Sequence, residues 1–126
     1  MTNTPTHFED ILDQAYSSAR AAVKGFLDDY RAKRPDCPNC EPAACGFAWV
    51  EIAGTTAFAR YCRKWEKMDV PGSGRYGQKH WSKGRYFWKP GFDSGQSIEV
   101  AEVGAQAFAS VLMDHGIEAH ACSRFD

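Results

Sequence analysis

The chain predicts an α+β domain: a long N-terminal helix followed by a βαββαβ, ferredoxin-like arrangement with a four-stranded, mainly antiparallel sheet. Three observations carry this. Apolar residues recur at helical spacing from Phe8 to Tyr30. The segment Cys45–Ile52 is apolar on both of its alternating faces, as an interior strand is. Two short aromatic runs, Tyr76–Trp81 and Arg85–Lys89, flank Ser82-Lys83-Gly84, a three-residue connection ending in glycine that suits a hairpin. At 126 residues the chain is expected to be one domain, with residues 1–34 as the helix and 44–126 as the α+β core.

Each element has its own local cause. Thr6 followed by Glu9 reads as a capping box that starts helix 1. Phe8, Ile11, Leu12, Ala15, Ala19, Val23, Phe26, Leu27 and Tyr30 form its stripe, and Pro35 stops it near Lys33. About 26 residues of helix reach roughly 39 Å, more than a small sheet needs, so the surplus stripe is expected to pack on a second copy. Pro35 to Ala43 is a loop rich in proline and cysteine. Gly54 ends the first strand, and Thr55 or Thr56 caps a second helix with Phe58, Tyr61, Cys62 and Trp65 on one face and Arg60, Arg63, Lys64 and Lys67 on the other. Pro71-Gly72-Ser73-Gly74 is a linker, too short for a phosphate loop. Ser97 caps a third helix that buries Ile98, Ala101, Ala105, Phe108, Ala109 and Leu112. Gly116 supplies its left-handed C-terminal cap, and Ile117–Ser123 is the last strand.

Charge is distributed unevenly. Residues 60–92 carry nine Lys or Arg and two Asp or Glu, between a first segment with five and eight and a last with one and six. Within this basic middle, Val70 to Phe92 lacks Asp and Glu and interleaves cations with rings. Arg75, Tyr76, Lys79, His80, Trp81, Lys83, Arg85, Tyr86, Trp88 and Lys89 are therefore the candidate partner-binding residues. Flat rings alternating with cations suit phosphates, bases or an acidic protein surface. The alternative is that the basic strip pairs with the acidic ends of its own fold.

In a ferredoxin-like sheet the two central strands, here Phe47–Ile52 and Arg85–Lys89, present one open face. RNA-recognition domains place stacking aromatics there, and Lys83-Gly84 and Phe87 echo part of their signature. Arg85, Tyr86 and Pro90 depart from it. The competing expectation is that helix 1 lies across this face and buries Phe47, Trp49 and Phe87 as core.

Cys37-Pro38-Asn39-Cys40 has zinc-knuckle spacing, with Cys45 five residues on. A fourth ligand would come from Cys62, His120 or Cys122. Five cysteines, an odd number, argue against a disulfide framework. His115 at a helix end, and His120 two residues from Cys122, are the residues from which catalysis would be built, but no nucleophile motif surrounds them. The chain is expected to be non-enzymatic. Arg124, the only cation after Lys89, is expected to pair with a carboxylate. No apolar run approaches a membrane span, and Met1 to Pro5 lacks the character of a secretory signal, so a cytoplasmic location is expected.

Two blocks carry a resemblance. One is Cys45-Gly46-Phe47-Ala48-Trp49-Val50. The other runs from Gly104-Ala105-Gln106-Ala107-Phe108-Ala109 through His115-Gly116-Ile117 to Ser123-Arg124-Phe125-Asp126. Together they resemble small accessory proteins of bacteriophages and prophages. The resemblance implies action in the bacterial host cytoplasm against a nucleic-acid-handling or defence complex, in the manner of anti-CRISPR inhibitors, by occlusion and without catalysis; related proteins sequester nucleotide signals. The partners expected are thus a host protein or protein–nucleic-acid complex, or a nucleic acid or nucleotide directly. A zinc-stabilised adaptor and a homodimer through helix 1 are the further expectations.

Overall fold

The computed structural model describes residues 5–66, 74–79, 84–91 and 95–126, with side chains from residue 7 onward. Seven elements follow in order: α1 (Pro5–Ala32), β1 (Gly46–Ile52), α2 (Ala57–Glu66), β2 (Gln78–Lys79), β3 (Arg85–Trp88), α3 (Ile98–Asp114) and β4 (Ala119–Phe125). The architecture is α+β, three helices and one four-stranded sheet in the order β2-β3-β1-β4, with every pairing antiparallel. β1 lies between two neighbours, as its two apolar faces predict.

Burial alternates along β1, with Ala48, Val50 and Ile52 sealed and Phe47, Trp49 and Glu51 partly exposed. The sealed face meets the helices. Phe87 of β3, opposite Val50, touches Phe108 of α3 and Phe58 of α2, with ring centres 4.9 and 6.4 Å apart. α3 packs on β1 and β4, and α1 packs mainly on α3. α1 uses its stripe inside the chain. Phe8, Ile11, Leu12, Ala15, Tyr16 and Ala19 enter the main core, and Val23 and Leu27 close on Val100. The apolar surplus that motivates a second copy on helix 1 is thus largely covered by α3, leaving Phe26 and Tyr30 half-buried and stacked on each other at 6.3 Å.

The helix termini follow local chemistry. The Ala59 amide donates to Thr56 Oγ1 (3.1 Å), and the Val100 amide to Ser97 Oγ (3.4 Å), capping α2 and α3. At the end of α3 the Ile117 amide reaches the Leu112 carbonyl (2.9 Å) and the Gly116 amide the Met113 carbonyl (3.0 Å), with Gly116 at φ 79°. These two bonds are the Schellman pattern predicted there.

Several boundaries differ from expectation. α1 begins at Pro5, which suits the first helical position, so Thr6 lies inside the first turn, and Glu9 turns to other partners. β2 starts only at Gln78, because Arg75 and Tyr76 form a turn closed by the Gly77 amide on the Gly74 carbonyl (3.0 Å), with Gly77 at φ 71°. Lys79 pairs with Arg85, where a three-residue connection would set Trp81 opposite it. β4 runs to Phe125, two residues past the expected end, and its pairing with β1 extends that far.

Candidate functional site

Alternation on the central strands divides the expected binding residues between the two faces of the sheet. On β3, Arg85 and Phe87 point to the core, and Tyr86 and Trp88 point away from it. Arg85 is 2% exposed; its guanidinium ion-pairs with Glu66, and its Nε donates to the Tyr76 carbonyl (3.3 Å). Burial, with Arg63 nearby, holds this guanidinium below its ordinary range, and its charged partner is the Glu66 carboxylate.

Arg75 and Tyr76 are also turned inward. Arg75 Nη2 donates to Glu9 Oε1 (2.6 Å) and Asp13 Oδ1 (2.8 Å), and Tyr76 Oη to Glu9 Oε2 (2.7 Å). Tyr61 Oη donates to the same oxygen, and Tyr16 Oη to the Arg75 carbonyl (2.8 Å). Burial raises the Glu9 carboxyl, but the two phenols and Arg75 together outweigh it and hold Glu9 below its ordinary range. Desolvation and this carboxylate push Tyr61 and Tyr76 up. Arg75 is held charged mainly by its bonds to Glu9 and Asp13, against the desolvation that opposes them. The cluster joins α1, α2 and the segment before β2, so Arg75, Tyr76 and Arg85 act within the fold. Lys89 is tethered as well, its amine donating to the Gly95 carbonyl. Lys79 is exposed. His80, Trp81 and Lys83 lie outside the described residues.

The outward face of the sheet holds a different set. Phe47 and Trp49 of β1 and Trp88 of β3 form one run of rings. Trp88 lies 5.9 Å from Trp49 at an interplanar angle of 12°, and 5.5 Å from Phe47 at 35°. Trp88 is 50% exposed. Trp49 Nε1 donates to Glu51 Oε2 (2.8 Å), and Tyr86 Oη to Gln78 Oε1 (2.8 Å). β4 completes this face with His120, Cys122 and Arg124, which stand opposite Glu51, Trp49 and Phe47. The Arg124 guanidinium sits 5.8 Å from the Phe47 ring centre, a cation–π contact; among the described residues no carboxylate forms a salt bridge with it. Beside the rings, a shallow cleft of about 400 Å³ is lined by Glu51, Gly54, Thr55, Gly84, Glu118 and His120 among others.

Helix 1 therefore does not cover Phe47 and Trp49. Phe87 belongs to the core, 1% exposed, and is not part of any open stacking surface. The hairpin is the candidate surface that the sequence favours; the described geometry puts Phe47, Trp49 and Arg124 on the same face as Trp88, and their parity on β1 and β4 is the signal that locates them. What this arrangement offers chemically is contact: one exposed ring and two half-buried ones at the centre, and charges of both signs at the margin.

The remaining candidates are dispersed. Cys37 and Cys40 are joined as a disulfide, and Cys45 is an exposed thiol. Zinc on these residues requires the dithiol form, because the thiolate is the ligand. Among the described residues no group of three or more His, Cys, Asp or Glu is placed to hold a metal ion. His120 Nε2 lies 3.2 Å from Glu118 Oε2, and His115 Nε2 2.9 Å from Gln14 Oε1. Cys122 shares the face of His120, but its thiol donates to the His120 carbonyl rather than to the ring, and burial followed by Glu51 pushes it up. Among the described residues no helix is long and apolar enough to cross a membrane. Comparison with protein-family models, curated proteins and solved structures found no match to this chain.

Proposed function

We propose that the chain is a non-enzymatic binding protein that engages a partner protein through the outward face of its sheet. One observation carries the reading. Phe47, Trp49 and Trp88 form a continuous run of rings, half-exposed at Trp88, on the face of the sheet turned away from the helices. Tryptophan and tyrosine concentrate interface energy, and a mixed-charge margin of Arg124, Glu51, Glu118 and His120 is the usual surround of such a centre. The cations that would make a phosphate track are partly diverted, since Arg75, Arg85 and Lys89 bond within the fold. On the resemblance to small phage proteins, the partner is a host nucleic-acid-handling or defence complex, bound in the bacterial cytoplasm and blocked by occlusion.

A second reading has its own support. The element order and the strand order β2-β3-β1-β4 agree with a ferredoxin-like arrangement, and rings on its two central strands are how such sheets stack the bases of single-stranded nucleic acid. One pair of experiments separates the two. The immobilised full chain is exposed to bacterial lysate with and without nuclease, beside Trp88→Ala. A protein captured by the wild type after nuclease and lost with Trp88→Ala supports the first reading. Tryptophan quenching by a single-stranded oligonucleotide, with affinity falling steeply between about 50 and 200 mM salt, supports the second and displaces the first.

A further inference from the structure

The free edge of the sheet supports an inference that does not depend on what the open face binds. Among the described residues β4 has one strand neighbour, β1. The Asp126 amide donates to the Cys45 carbonyl (3.1 Å), one position beyond the Gly46–Phe125 pair. Hydrogen-bonded and non-hydrogen-bonded pairs alternate in an antiparallel ladder. The backbone groups of Arg124, Cys122 and His120 therefore point at β1, and those of Ala119, Ala121, Ser123 and Phe125 point outward. Soluble proteins blunt such an edge with Lys, Pro, a bulge or a short strand. Residues 119–125 contain neither Lys nor Pro, and their register with β1 is unbroken through seven pairs. Ala119, Ala121 and Ser123 are small, so a second strand can approach closely.

We propose that β4 pairs antiparallel with β4 of a second copy of this chain, about a two-fold axis through Ala121. A two-fold perpendicular to the sheet keeps each face on its own side, so residues of equal parity must oppose. Three centres are available near the middle of the strand, and charge distinguishes them. Centring on Cys122 opposes Glu118 to Asp126 and His120 to Arg124, like with like. Centring on His120 opposes Glu118 to Cys122 and Arg124 to Gly116, which leaves both charges without a partner. Centring on Ala121 opposes Glu118 to Arg124 twice, on the open-face side, where Glu118 already reaches His120 (3.2 Å). On the helix side it sets Phe125, 71% exposed, against Ile117. The resulting sheet has eight strands and carries both runs of rings on one face. This is a different contact from one along α1.

The test uses the full chain, with light scattering and residue-resolved hydrogen exchange over a range of concentrations. The expected result is a two-chain mass at high concentration, with exchange at the amides of Ala121 and Ser123 slowing as the mass rises. Ala121→Pro removes an outward donor that β1 does not use; it is expected to give a one-chain mass with unchanged circular dichroism. Should that variant fail to fold, charge reversal decides. Glu118→Arg weakens association by about tenfold or more, and Glu118→Arg with Arg124→Glu restores it. A one-chain mass at every concentration with fast exchange at those amides overturns the proposal. So does a two-chain mass unaffected by Ala121→Pro or by Glu118→Arg, which places the contact elsewhere.

Discussion

Glu9 shows how one side chain can govern several others. Its carboxylate accepts from Tyr61, Tyr76 and Arg75, which come from α2 and from the segment before β2. Glu9→Gln keeps the volume and removes the charge, leaving Arg75 with Asp13 and the two phenols with a weaker acceptor. A loss of about 1–3 kcal/mol is expected, measured by urea unfolding at pH 7. The pH dependence follows from the sign of the shift. Glu9 is held below its ordinary value of 4.5, so its contribution is full above that value and is lost as pH falls through the folded-state pKa. The gap in stability between wild type and Glu9→Gln should therefore narrow as pH drops below about 4.5; a constant gap down to pH 3 would show that the ionised carboxylate is not what stabilises. Cys62 offers a second residue-scale check. Burial pushes its thiol up to about 12. Because the thiolate is the nucleophile, a thiol reagent at pH 8 should label exposed Cys45 rapidly and reach Cys62 only after denaturation. Rapid labelling of Cys62 in the native protein would contradict its burial.

At the scale of elements, two glycines of the α3 region predict a loss on substitution by Ala, for two different reasons. Gly116 sits at φ 79° with nothing within 4 Å of where an added methyl would lie, so Gly116→Ala is penalised by backbone conformation alone, about 1 kcal/mol. Gly104 lies inside α3, where Ala would ordinarily be favoured by about 1 kcal/mol. Its added methyl would run into the carbonyl oxygen of Pro90, on the turn that threads between α1 and α3. Gly104→Ala is therefore expected to destabilise, by roughly 1–3 kcal/mol of overpacking; a stabilised variant in urea unfolding would refute the close approach. The first of these glycines was legible in the sequence and the second was not, for a physical reason. A cap is a local pattern, readable from Gly116 and Ile117 alone, as the Ser97 and Thr56 caps are. The demand on Gly104 comes from a turn fourteen residues away. The hairpin register escaped for a related reason: a left-handed turn at Gly77 shortens β2, and Lys79 rather than Trp81 meets Arg85.

At the scale of the molecule, the sequence revealed which segments carry binding chemistry but not which way their side chains face. The basic aromatic stretch reads as one surface because cations and rings alternate in it. A strand with period two sends alternate residues to opposite sides, so Arg85 and Phe87 leave the surface that Tyr86 and Trp88 keep. The order of elements and the interior position of β1 were legible from apolar patterning. That α1 packs on α3, leaving Phe47 and Trp49 open, depends on long-range packing that no local pattern encodes. Neighbouring residues 87 and 88 turn this division into the last prediction. Phe87→Ala empties a fully buried site between Phe58 and Phe108 and is expected to cost about 3–5 kcal/mol of stability. Trp88→Ala removes a half-exposed ring whose contacts are to Trp49 and Phe47, and should change stability by no more than about 1 kcal/mol. Its effect belongs to association, where truncating a central tryptophan weakens binding by about 2 kcal/mol or more. Urea unfolding and partner capture on the same two variants decide the matter. If Trp88→Ala keeps full capture, the open face is not the binding surface; if it unfolds like Phe87→Ala, the ring belongs to the core and not to a site.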